Sequence, residues 1–184
     1  MQKDQFILIY WKQFKLIEKR IIELSDYVAI DKKNFPTFSN QFTSLFLEIC
    51  SEVDSVADEL CAVLGYDEKE RYGITNKVSI ILDKYNNMKS WTCVTRFPYR
   101  TIHLVPFVKF ENNNSADWWK DYNLVKHKRT DYTEAGQYNY ELANLKNVMN
   151  AAAALYLLII KTKTEIFPDM SEELNSQIFE IHTI

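Results

Sequence analysis

Apolar side chains recur at helical spacing over residues 4–28. Phe6, Ile9, Phe14, Ile17, Ile21 and Leu24 form a stripe, and Lys12, Lys15, Glu18, Lys19 and Glu23 fill the rest. Ile7, Leu8, Tyr10 and Trp11 widen that face, which predicts burial on two sides or a surface given to a partner. The pattern breaks at Asp31–Phe38, around Pro36. A second helix is expected from a cap at Thr37 or Ser39 to about Leu64, with Phe42, Leu45, Phe46, Ile49, Val53, Val56, Leu60 and Val63 inward and Gly65 as its stop. Its other face is acidic: Glu48, Glu52 and Glu59 in one row with Ser55, Asp54 and Asp58 in another. Tyr66–Tyr72 reads as a charged loop, and Thr75 caps a short helix to about Tyr85 through Val78, Ile81 and Leu82.

Residues 91–110 change character. Pro98 and Pro106 exclude a continuous helix, so this apolar stretch predicts an extended excursion, a short hairpin turning near Pro98. Asn112–Asn114 then links it to a helix over Asp117–Arg129, capped by Ser115, with Trp118, Tyr122, Val125 and Arg129 on one stripe. Thr130–Gln137 is a polar loop. The last long helix is expected from about Tyr138 to Thr164, where Ala151–Ala154 allow another helix to approach closely. Gln177–Ile184 is either a strand or a frayed end. The pattern as a whole predicts a single all-α domain over residues 1–184: a helical bundle of four main helices plus a short one, with a small β-hairpin excursion around residues 91–110.

Composition narrows the function classes. The 184 residues carry a net charge of −3 and a pI near 5.7, so there is no general attraction to nucleic acid and any RNA binding needs a local patch. Arg96, Arg100, His103 and Lys109 offer one, without nearby acids until Glu111. Three cysteines (Cys50, Cys61 and Cys93) without a spacing motif point to reduced thiols and a cytoplasmic home. No secretory segment opens the chain, and Ala151–Ile160 is too short to span a bilayer, so no membrane association is expected.

The richest chemistry lies in the Asp117–Arg129 helix. Asn123 and His127 are four apart and share a face beside the aromatic stripe, with Lys126 and Arg129 adjacent. Such a polar pair needs partners or water. The acidic face of the second helix is by default solvated; the alternative is that Glu48 or Glu52 points inward and pairs with Lys126, His127 or Arg129, and Asn144, Asn147 and Glu141 lie where they can hydrogen-bond Asn123 or His127. Carboxylates four apart on a bundle helix also occur in di-metal sites, but no Glu-x-x-His accompanies them here, so neither a metal nor another cofactor is implied.

The run W-W-K-D-Y-N-L-V-K-H-K-R, with A-N-L-K-N-V-M-N-A-A-A-A-L-Y downstream, resembles the second half of HEPN-type helical domains of prokaryotic toxin–antitoxin and defence systems. The resemblance implies a metal-independent ribonuclease whose Arg-polar-x(3–5)-His motif works from two paired copies. Asn123 and His127 match the polar residue and the histidine, while Tyr122 stands where the arginine belongs. On this reading His127 is the acid/base, Asn123 orients it, and Lys126 or Arg129 bears phosphate charge; the partners are RNA, an antitoxin or other protein, and a second copy. The competing reading is a non-catalytic interaction module on the same fold, with Tyr122, Asn123 and His127 as a buried network. A third is a small-molecule pocket between the excursion and Trp118/Trp119.

Overall fold

The computed structural model describes residues 1–66, 73–110 and 114–182. The chain is predominantly helical, with a small three-stranded antiparallel sheet. It opens on α1 (Lys3–Phe6), a π-helical stretch (Ile7–Trp11) and α2 (Lys12–Ser25), which run on without a break because Phe6 and Lys12 at the joins are both helical. The π turn has a packing reason. In an unbroken α-helix, eight residues overshoot two turns by roughly 80°. The wider turn takes up the surplus residue, so Phe6 and Phe14 both reach the core. Leu8 and Ile9 are turned out instead, 63% and 54% exposed, which corrects the inward placement of Ile9.

Helix α3 (Asn40–Val63) starts and stops where its local signals lie. Ser39 Oγ accepts from the Phe42 amide at 3.1 Å, and Gly65 follows the helix at φ +85°. Helix α4 (Ile74–Lys84) follows Gly73 rather than a Thr75 cap. Helix α5 spans Asp117–His127; its N-cap is Ala116, which has no side-chain acceptor, so Ser115 does not serve as expected. The expected helix start at Tyr138 is also displaced. A 3-10 turn occupies Asn139–Leu142, and α6 (Leu145–Ile166) begins after Asn144, whose side chain accepts from the Asn147 amide at 3.1 Å. Asn139 and Asn144 therefore lie outside the helix interior, where asparagine would be unfavourable. Along α6, Ala151–Ala154 are fully buried, and α3 packs against it over much of its length.

The expected hairpin forms from β1 (Thr92–Thr95) and β2 (His103–Leu104), with Cys93 opposite Leu104. Its other edge is filled by β3 (Phe179–His182) from the tail, giving the order β2-β1-β3. The all-α expectation is corrected by that third strand. A hairpin of this size is marginal alone, and here the tail supplies four register pairs and buries Phe179 behind β1. The expected linker Asn112–Asn114 and loop Tyr66–Tyr72 lie largely outside the described residues.

Buried titratable groups tie this fold to pH. Lys77 is 4% exposed and reaches Asp54 at 2.8 Å and Asp58 at 2.7 Å. Burial opposes its charge, but the two aspartates outweigh it and hold its pKa above the usual 10.5. Burial, reinforced by Asp58 and opposed by Lys77, lifts the Cys61 thiol from 9.0 to about 11, and burial alone also raises Cys93. The folded chain thus holds these protons more tightly than the unfolded chain. The stability they contribute is complete below pH 9 and drains away as pH rises through the raised values. Thermal unfolding at stepped pH should show a midpoint falling from pH 9 upward; a level profile to pH 11 would contradict this.

Candidate functional site at the end of α5

Helix α5 has two unlike faces. Trp118, Trp119, Tyr122 and Val125 are buried, and Asn123, Lys126 and His127 are exposed. The aromatic face is core. The Trp118 indole donates to the Pro106 carbonyl at 3.0 Å, which docks the excursion onto the helix. Ring contacts continue from Phe110 through Trp118, Trp119 and Tyr122 to Phe46 on α3, at 4.9–6.1 Å. Tyr122 therefore packs and does not take the place of a phosphate-holding arginine. The Lys126 ammonium lies 5.4 Å from its ring centre.

The exposed face carries the polar pair. No described residue hydrogen-bonds the Asn123 amide or the His127 imidazole, and none forms an ion pair with Lys126, Lys128 or Arg129. The expected buried network of Tyr122, Asn123 and His127 is thus corrected: only Tyr122 is buried, and the other two face solvent. The helix stops at Lys128, whose carbonyl accepts from Asn139 Nδ2 at 2.8 Å. Arg129 turns back, with Nε donating to the Val125 carbonyl at 3.2 Å.

The expected partners lie elsewhere. Glu48 meets Arg20 and accepts from Gln13 Nε2 at 3.1 Å, not from Lys126, His127 or Arg129. Glu52 sits on the same side, its pKa raised by partial burial and then by the Glu48 charge. Ser55 and Glu59 act on Tyr10. The acidic row of α3 is turned toward the N-terminal helix, because α5 takes a different flank of α3. Asn144 is a cap. Asn147, nearly fully buried, donates to Asp121 Oδ2 at 2.7 Å and to the Leu142 carbonyl at 2.8 Å, so the α5–α6 polar contact runs through Asp121 rather than Asn123. Burial raises the Asp121 pKa, with the Asn147 bond opposing. Asp121→Ala strands the Asn147 donor and should cost about 1–3 kcal/mol, while Asp121→Asn keeps an acceptor and should cost little. Urea titration of the two variants checks this; equal losses would contradict it.

The expected basic patch is dispersed. Arg96 Nε donates to the Phe179 carbonyl at 2.8 Å and holds β3 in place. Arg100 lies 3.7 Å from Asp31, and Lys109 pairs with Asp117. The expected cleft between the excursion and the tryptophans exists as a space of about 240 Å³ lined by Pro106, Trp118 and Asn147, without Trp119. Among the described residues, no group of three His, Cys, Asp or Glu side chains is placed to hold a metal, and no helix is long and apolar enough to cross a membrane.

One feature beside α5 escaped the sequence reading. A cleft of about 360 Å³ is lined by Asn40, Thr43, Arg129, Thr130, Tyr138 and Tyr140. Tyr132 and Tyr138 make a tilted ring contact at 4.3 Å with their hydroxyls 2.6 Å apart, Tyr138 and Tyr140 lie 6.0 Å apart, and Phe38 meets Tyr140 edge-on at 5.4 Å. The alternation of Tyr138 and Tyr140 in Q-Y-N-Y is the one signal for it in the sequence, and it lies just before α6, which starts at Leu145.

Scans against protein-family models, curated proteins and solved structures found no match to this chain.

Proposed function

We propose that this chain is a HEPN-like protein of a prokaryotic toxin–antitoxin or defence system that cleaves RNA without a metal ion. The observation that supports this reading is the exposed end of α5. There Asn123 and His127 stand one turn apart, unpaired, beside Lys126, Lys128 and Arg129, which no described acid neutralises. A buried structural pair would be enclosed and satisfied; this one is open to a ligand.

In the proposed reaction the ribose 2′-oxygen attacks the adjacent phosphorus and the bond to the 5′-oxygen breaks. The 2′-hydroxyl proton passes to a neutral His127 imidazole, and the 5′-oxygen receives a proton from the imidazolium of a second copy. The products are a 2′,3′-cyclic phosphate and a 5′-hydroxyl. Lys126 and Arg129 bear the charge on the phosphate. The free, buried cysteines fit a reducing cytoplasmic compartment. The purified protein should therefore cut RNA in the presence of a chelator and leave the 2′-deoxy analogue intact. Inactivity across varied RNAs would remove the enzyme claim.

A second reading, a non-catalytic interaction module, is favoured by the N-terminal helix, where Leu8, Ile9 and Leu16 are 63%, 54% and 52% exposed. Apolar surface of this kind suits a protein partner. On that reading RNA stays intact, and Leu8→Glu with Leu16→Glu abolishes the partner complex.

A further inference from the structure

We infer that the cleft between the start of α3 and the loop after α5 holds one nucleotide of a single-stranded RNA, its base on the tyrosines and its phosphate on Arg129. The inference deepens the RNA reading by naming the form of RNA and where it is gripped.

Three observations carry it. Arg129 is the single charged residue among those lining the cleft, and it has no ion-pair partner among the described residues. Its Nε is held by the Val125 carbonyl, which fixes the side chain and leaves the other guanidinium nitrogens to meet an anion. Second, the aromatic wall continues outside the cleft as a ledge: Tyr140, Tyr138 and Tyr132 are in successive ring contact, with Tyr138 40% and Tyr132 61% exposed. Rings that pack on one another while exposed offer faces on which successive bases can stack. Third, a cleft of about 360 Å³ falls within the size range of small-ligand sites. Asn40 and Thr130 add polar groups beside the guanidinium, suited to a sugar or phosphate.

The single-stranded form follows from the chemistry. A duplex keeps its bases stacked on each other and cannot present a ring face to a tyrosine, whereas an unpaired base can.

Binding of a labelled 2′-O-methyl oligouridine 12-mer, which cannot be cleaved through its 2′-oxygen, tests this by fluorescence anisotropy. Tyr138→Leu should weaken binding about tenfold with the salt dependence unchanged, since stacking is lost and charge is not. Arg129→Gln should weaken it and reduce the slope of log K against log salt by about 0.7. Tyr138→Phe keeps the ring and should bind as the wild type does. A duplex of the same length should fail to compete. Wild-type affinity in both Tyr138→Leu and Arg129→Gln, absence of binding by the wild type, or equal competition by duplex would overturn the inference. The two readings can fail separately. Binding with these variant effects but no cleavage sinks the enzyme claim and keeps the cleft; cleavage with no variant effect on binding does the reverse.

Discussion

Glu18→Ala should lower the free energy of unfolding by about 2–4 kcal/mol, because each buried donor left without its charged acceptor costs about 1–3 kcal/mol. Glu18 is 1% exposed and lies on α2. One carboxylate oxygen pairs with Lys15, and the other accepts from Ser176 Oγ, from the Gln177 amide at 2.7 Å and from the Ile178 amide at 3.3 Å. Those groups immediately precede β3, so a single carboxylate anchors the tail that completes the sheet. Alanine leaves the Gln177 amide and the Ser176 hydroxyl without their charged acceptor, while the Ile178 amide keeps Ser176 Oγ at 3.1 Å. Tyr156 and Arg96 also hold the tail, through Leu174, the Ser176 amide and Phe179, but neither reaches the Gln177 amide. Glu18→Gln keeps a neutral acceptor and should cost clearly less. Urea unfolding followed by tryptophan fluorescence reads both, and a loss below about 1 kcal/mol for Glu18→Ala would show that the anchor is dispensable.

Glu18 also shows where sequence reasoning stops. Along α2 it is one charge among Lys12, Lys15, Lys19 and Glu23, and nothing in its neighbourhood marks it as buried. Its acceptors' partners come from 158–160 residues away, so its role exists only once the tail has docked. Several signals carried within a few residues were legible, namely the Ser39 cap, the Gly65 stop, the proline-broken excursion and its hairpin, and the buried alanine run of α6, although Thr75 and Ser115 do not cap α4 and α5. Signals that depend on which flank of a helix meets which neighbour were not. The acidic row of α3 reads from sequence as solvated or as a partner for α5, yet its Glu48 meets Gln13 and Arg20 of the N-terminal helix. The π turn was hidden for a related reason: the apolar face there is broad enough to fit either helical phase, and only the joint burial of Phe6 and Phe14 selects one.

The candidate site was legible in part for the same reason. The four-residue spacing of Asn123 and His127 places them together on α5 from the backbone repeat alone. What spacing could not convey is that the pair faces solvent while the indoles beside it face the core. Nor could it show that Tyr132, Tyr138 and Tyr140 gather next to Arg129, since the loop that brings them there is held by Asn139 on the Lys128 carbonyl and by the Tyr140 amide on the Arg129 carbonyl at 3.2 Å.

His127→Ala carries the second large effect. On the proposed ribonuclease reading, a placed imidazole contributes about 10²–10⁴-fold by general acid–base catalysis, and that factor should vanish from the rate of RNA cleavage. The fold should not register the change, because the ring is exposed and no described residue depends on it for a hydrogen bond. Surface substitutions of this type stay within about 0.5 kcal/mol. Asn123→Ala should be milder, since it removes an orienting contact and leaves the proton carrier. A His127→Ala protein that loses stability along with activity would contradict the exposed, unpartnered placement of the ring.

The most direct measurement is the rate at which wild-type and His127→Ala proteins, matched for unfolding midpoint, cut one unstructured RNA in a chelating buffer. The account predicts a wild-type rate that the variant reduces at least a hundredfold. Equal rates in the two proteins, or no cleavage by the wild type, would contradict it.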